Sequence, residues 1–240
     1  SIDPARHYGK DNFGGKGVGN GYSANYWALF QMIRSYVTIS RDFDFLHDTL
    51  EEKTVMEHLH TYATNWKNLS PHGQPGYEKE IYRLADFGDD EWNLLECVPT
   101  YKHIVPSFNA GYAWMMRELA ALYDASGKPG KASALREEAG AMIDRILDLY
   151  AGDGVWNSLH PGGKTIEVRH CLDFMFIGRY IPHDVPPQIR TEMIDFLYRE
   201  LITDHWMRAQ SLQDKAADAS DRPDHGPLGA FDGWPAGTMD

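Results

Sequence analysis

Six stretches of this chain repeat apolar side chains at steps of three and four residues, the spacing that stacks them on one face of a helix. They fall in consecutive pairs. Tyr22, Tyr26, Leu29, Phe30, Ile33 and Val37 form the first stripe, and Val55, Leu59, Tyr62 and Trp66 the second, with Asp48 and Glu51 expected to cap its start. Phe108, Tyr112, Met115, Leu119 and Leu122 mark a third helix that Gly127 closes. Pro129 opens a fourth, carrying Leu135, Ala139, Met142, Ile146 and Leu149. A fifth, over about residues 167–181, is apolar nearly all round, which assigns it to an inner layer. Pro186 and Pro187 set up the sixth, with Ile189, Met193, Phe196, Leu197 and Leu201 on its buried side. The expected fold class is therefore all-α: about three helical hairpins, forming part of one domain over residues 1–240.

Between the pairs the periodicity fails. From Asn68 to Ser107, Pro71, Gly73, Pro75, Gly76, Gly88, Pro99 and Pro106 punctuate a long loop, and a loop of that length in a compact domain usually carries function. The segment AGDGVWNSLHPGGKT reads as a turn or small β-hairpin, and no run of strands large enough to build a sheet is expected. After Thr203 comes a second long loop. The chain then stops at Gly237-Thr-Met-Asp where another helix would begin, which reads as a truncation.

Charge and composition exclude several classes of function. A net charge of -12 repels phosphate backbones, so no nucleic-acid partner is expected. No apolar run approaches the ~20 residues that span a bilayer, so no membrane role is expected either. The N-terminal residues lack the basic-then-apolar layout of a signal peptide. Cys97 and Cys171 each lie in apolar surroundings and are expected to pack rather than pair. The compartment stays open, with a periplasmic or secreted location marginally favoured. Histidines show no metal-ligand spacing, His58 and His60 being two apart on a helix, so neither metal nor cofactor is expected. Gly15, Gly17 and Gly19 imitate a dinucleotide fingerprint without the strand that should precede it.

Aromatics make up 12% of the chain and several sit in the loops, where a ring face can stack on a sugar. Hydrolysis of a glycosidic bond needs a desolvated carboxylic acid and, in most enzymes, a second carboxylate nearby. Two clusters bring such residues together. RLADFGDDEWNLLE holds Asp86, Asp89, Asp90, Glu91 and Glu96 beside Tyr82, Phe87 and Trp92; a solvated acidic turn is the plainer account of any one of them. SDRPDHGPLGAFDGWP supplies Arg222, Asp224, His225 and Trp234 among glycines, a pattern equally compatible with an ordinary turn. Tyr101 and His103 are placed to line a cleft, with Asn109 at a helix entrance, though core and capping roles fit them as well. Asp173 lies in an apolar helix and needs a partner, Arg169 or Arg179 by position, while His170 reads as a satisfied core histidine.

Two segments carry a resemblance. NGYSANYWALFQMIRSYVTISRDFDFL, an aromatic helix followed by an Asp-Phe-Leu turn, and DFGDD ahead of FNAGYAWMMRELAALYDASG resemble the six-hairpin glycosidase superfamily, in particular the clan of trehalase, processing α-glucosidase and mannosylglycerate hydrolase. The resemblance implies an α/α toroid and a glycoside hydrolase acting on an oligo- or polysaccharide. In that clan an Asp in the loop before the Asn-Ala helix is the general acid, a role that falls on Asp86 or Asp89. Glu96 would support it or act as second carboxylate, with Trp92, Tyr101, His103, Asn109, Arg222, Asp224, His225 and Trp234 binding sugar. Three hairpins are half of a full ring, so the implied partners are a carbohydrate and the remainder of the toroid. Two alternatives keep the helices: a lyase on a uronate polymer using Tyr101 and His103, and a non-catalytic glycan-binding module.

Overall fold

Residues 106–147 show why the helices begin and end where they do. Pro106 occupies the first turn of α3 (Pro106–Ala125), where its missing N–H costs no hydrogen bond. The helix ends on Gly127, which takes φ +70. Gly127 N donates to Asp124 O at 3.0 Å and Lys128 N to Tyr123 O at 2.8 Å, the paired bonds of a Schellman motif. Pro129 then starts α4 (Pro129–Leu147), and the two helices pack along their length as the expected hairpin.

The computed structural model describes residues 9–10, 17–18, 25–68, 82–88 and 100–215. The other α-helices among them are α1 (Asn25–Ser40), α2 (Val55–Thr64), α5 (Cys171–Tyr180) and α6 (Pro187–Phe196), the last running into a π-helical turn at Leu197–Leu201. Helix α3 is the hub, packing against α1, α2, α4 and α5. Trp27, Phe30, Leu59, Phe108, Tyr112, Met115, Met116 and Ile146 are among the buried side chains of the main core. None of the helices in the described residues is long and apolar enough to cross a membrane.

The described chain is mostly helical rather than all-α. Two-residue antiparallel pairs join β1 (Gly9–Lys10) to β2 (Gly17–Val18) and β3 (Thr49–Leu50) to β4 (Lys53–Thr54). A larger antiparallel sheet of three strands, β5 (Tyr150–Gly152), β6 (Val155–His160) and β7 (Lys164–Val168), occupies the segment read as a turn or hairpin and takes residues 167–168 from the expected fifth helix. Val155, Trp156, Ser158 and Leu159 are buried, so β6 is covered on both faces and lacks the alternation that marks a half-exposed strand.

The start of α2 also differs from the sequence expectation. Glu51 and Glu52 sit at positive φ in the β3–β4 turn, so Asp48 and Glu51 frame that turn instead of capping the helix. The cap is Thr54 with Glu57: Thr54 N and Oγ1 donate to Glu57 Oε2 at 2.7 and 2.9 Å, and Glu57 N donates to Thr54 Oγ1 at 3.2 Å. The third pair is looser than expected, since α5 packs chiefly on α3 rather than on α6. Arg117 of α3 explains part of this, donating to both carboxylate oxygens of Asp184 just beyond α5, at 2.6 and 2.7 Å.

Candidate active site

Residues 82–88 reach their position through Asn109. Its Oδ1 accepts from Ala85 N at 2.7 Å, and its Nδ2 donates to Ala85 O at 3.2 Å and Val105 O at 2.9 Å. A side-chain amide thus stands in for a neighbouring strand. The backbone continues the pairing, with Phe87 N donating to His103 O at 3.0 Å and His103 N to Gly88 O at 2.7 Å. On the far side of residue 103, Ile104 and Leu159 exchange both of their backbone bonds, at 3.1 and 2.8 Å. Residues 86–88, 103–104 and the end of β6 therefore lie side by side at the mouth of the α3 helix.

This layering brings Asp86 to His103. The carboxyl is 3% exposed, and its Oδ1 accepts from Gly88 N at 2.8 Å and lies 3.3 Å from His103 Nδ1. His103 takes φ +61, a conformation uncommon for a side chain with a Cβ and a mark of local constraint. Its ring meets that of His160 edge-on, with centroids 5.1 Å apart. His160 Nε2 lies 3.0 Å from Ser158 Oγ and 3.1 Å from Thr100 O. Burial holds the His160 imidazole below its usual range, with a contribution from the neighbouring His103, Lys164 and Lys102.

A second polar network backs this surface from inside. Tyr101 Oη donates to Asp173 Oδ1 at 2.9 Å and also bonds Ser107 Oγ. Asp173 Oδ1 accepts from Ser107 N at 3.0 Å, while Oδ2 lies 2.9 Å from His170 Nε2. His170 Nδ1 in turn accepts from Leu172 N at 3.2 Å, capping α5. Burial, and then the charge of Asp173, push the Tyr101 phenol well above its ordinary value. Asp173 is therefore held by a tyrosine, a histidine and a backbone N–H, and not by either arginine. Arg169 instead binds Glu200 and Glu167, and Arg179 lies over the Tyr180 ring.

Of the residues singled out in the sequence, Asp86 and His103 come together. Tyr101 and Asn109 are each 0% exposed, with their polar atoms committed to the chain itself, so they position the layer and do not line a cleft. Asp89, Trp92, Glu96, Arg222, Asp224, His225 and Trp234 lie outside the described residues, as does Cys97. Cys171 is a buried free thiol pushed up to about 12 by burial, so it stays protonated and packs. No group of three metal-binding side chains occurs among the described residues.

His160, Lys164 and Ser107 join the site without having been singled out. The His-Pro-Gly-Gly-Lys turn held the signal for two of them, because a short hairpin loop sets the residues before and after it opposite each other. Compared with protein-family models and with curated proteins, the chain matches none.

Proposed function

We propose that this chain is part of a glycoside hydrolase of the α/α-toroid type, acting on an oligo- or polysaccharide, with Asp86 as the general acid. The observation that carries the reading is the setting of Asp86: a buried carboxyl in the loop ahead of the Asn109 helix, held at one oxygen by Gly88 N and His103. Among the described residues both bonds fall on Oδ1, which leaves Oδ2 to carry the proton that goes to the leaving glycosidic oxygen. His103 fixes the carboxyl's orientation. Burial keeps bulk water from competing for the proton.

Helical packing supports the toroid. α3 contacts its hairpin partner α4 and, alongside, α1 and α5, the arrangement of an inner helix with inner neighbours. Met32, Tyr36 and Ile39 of α1, and Ile194 with Tyr198 at the end of α6, are exposed. Helices at the open edges of an incomplete ring present such stripes. The lyase alternative loses its base, because the Tyr101 phenol is enclosed and hydrogen-bonded on the inner side of the layer.

The test is hydrolysis of a panel of α-linked and β-linked oligosaccharides by the parent chain, Asp86→Asn and Asp89→Asn, with product sugars quantified. Asp86→Asn should lose at least about a hundredfold in rate, in line with the usual contribution of a general acid. Equal rates for Asp86→Asn and the parent refute the assignment.

A further inference from the structure

The β6–β7 register sets His160 directly opposite Lys164. On its other edge β6 bonds the strand before α3 through Ile104 and Leu159, which sets His103 opposite His160. Directly opposed residues of antiparallel strands project from the same face, and the 5.1 Å ring contact between the two histidines agrees. His103, His160 and Lys164 therefore form one row across three strands, with Asp86 at its inner end. Strand spacing puts Lys164 about 10 Å from His103, roughly the span of a sugar ring and its substituents.

Two further features hold the row in place. The Pro161–Gly163 turn uses positive φ at Gly162 and Gly163, and a Cβ on Gly163 would lie 3.0 Å from Tyr82 Oη. The hairpin tip is thus seated on the segment that carries Asp86. His160 Nε2 is engaged by Thr100 O and Ser158 Oγ, so Nδ1 is the ring nitrogen left for a ligand among the described residues. Lys102 and Lys164 both bring positive charge to this ring, in a chain whose net charge is -12. Local lysine charge on an acidic protein attracts anions selectively.

We propose that the His103–His160–Lys164 row is a subsite for an anionic substituent of the saccharide, a carboxylate or a phosphate ester, one ring away from the bond that Asp86 cleaves. Lys164, exposed at the outer end, supplies the ion pair. His160 donates from Nδ1 once a bound anion stabilises its doubly protonated ring, with Nε2–H remaining on Thr100 O. This inference rests on the saccharide reading of the site, and it identifies the class of saccharide.

Titration calorimetry of the full chain with glucose, glucuronate, glucose 6-phosphate and inorganic phosphate tests it, alongside Lys164→Gln and His160→Gln. At least one of the two anionic sugars should bind tenfold or more tighter than glucose, and the stronger of the two names the anion. Both variants should erase the preference, read as the ratio of anionic-sugar to glucose affinity. Glucose bound as tightly as both anionic sugars, or a preference that survives both variants, overturns the subsite and leaves the hydrolase reading intact. Inorganic phosphate bound in a Lys164-dependent way with no sugar bound would retain an anion site and overturn the saccharide reading. No binding of any probe overturns the subsite.

Discussion

His103 Nδ1 stands 3.3 Å from Asp86 Oδ1, and the contact exists because residue 103 is the middle strand between residues 86–88 and the end of β6. Its backbone pairs with Phe87 and Gly88 while its ring leans on His160. The carboxyl is thus oriented by a residue whose own position is fixed from both sides.

Asn109 is the latch of this layer. Replacing it with Ala leaves the Ala85 N–H and carbonyl without their partner inside the core, while Val105 O keeps the backbone N–H of residue 109, which should cost about 3 kcal/mol. Chemical denaturation of Asn109→Ala should show a lower midpoint with an unchanged slope. Proteolysis should become faster near residues 82–88. A midpoint equal to the parent's would contradict the latch.

Gly154 has no room for a side chain. It takes φ +80, and a Cβ there would lie 2.1 Å from the backbone oxygen of Glu192. Gly154→Ala should therefore destabilise by more than about 2 kcal/mol, read as a drop in melting temperature, whereas Gly152→Ala, with positive φ but open space around it, should cost less. Equal melting temperatures for the two variants would contradict the close approach of α6 to the β5–β6 turn.

The Arg169–Glu200 pair ties the end of β7 to the π-helical turn. Arg169 Nε donates to Glu200 Oε2 at 2.8 Å and its Nη2 to Oε1, while Ser211 Oγ adds a bond to Oε2 at 2.7 Å. Burial by itself would raise the Glu200 carboxyl; the arginine and serine bonds outweigh it and hold the group below its usual range. Glu200→Gln and Arg169→Met should each cost about 2 kcal/mol, the loss of the charge-assisted bonds between them, because Glu200 keeps Arg199 and Ser211 and Arg169 keeps Glu167. The double variant should cost much less than the sum. Additive losses in a double-mutant cycle would show that the pair is not coupled.

The helices were legible in the sequence because their periodicity is strong and their ends carry local signals, Gly127 and the Pro129 start among them; Pro106, read as loop punctuation, is in the first turn of α3. The small sheet was legible only in part: its segment read as a turn or small β-hairpin, but β6 is buried on both faces and its sequence, VWNSLH, lacks the strict alternation that would have marked three strands. Capping misled for a related reason: Asp48-x-x-Glu51 and Thr54-x-x-Glu57 both fit the pattern, and only the β3–β4 turn decides between them. In the site, Asp86 and His103 were legible as residue types in an aromatic loop. The partnership between them depends on strand pairing over long sequence separation, as does the use of Tyr101, His170 and Ser107 by Asp173, and neither leaves a periodic trace.

Acid should weaken the fold through histidine. Burial is the main cause holding both His60 and His160 below the ordinary value of 6.5, so the folded state binds these protons less readily than the unfolded chain. Their contribution is complete above pH 6.5 and is lost as pH falls below it toward the depressed folded values. Melting temperature should decline as pH falls below about 6.5, and the decline should be shallower in a His60→Gln, His160→Gln double variant. An unchanged pH slope in that variant would assign the acid sensitivity to other groups.

The central claim is that Asp86 is the proton donor for glycoside cleavage, and an activated aryl glycoside tests it most directly. A leaving group that needs no proton should relieve the defect: Asp86→Asn should be about a hundredfold or more slower than the parent on the sugar-leaving-group substrate, yet within a fewfold of it on the dinitrophenyl glycoside of the same sugar. A loss of equal size on both substrates, or on neither, would contradict the assignment.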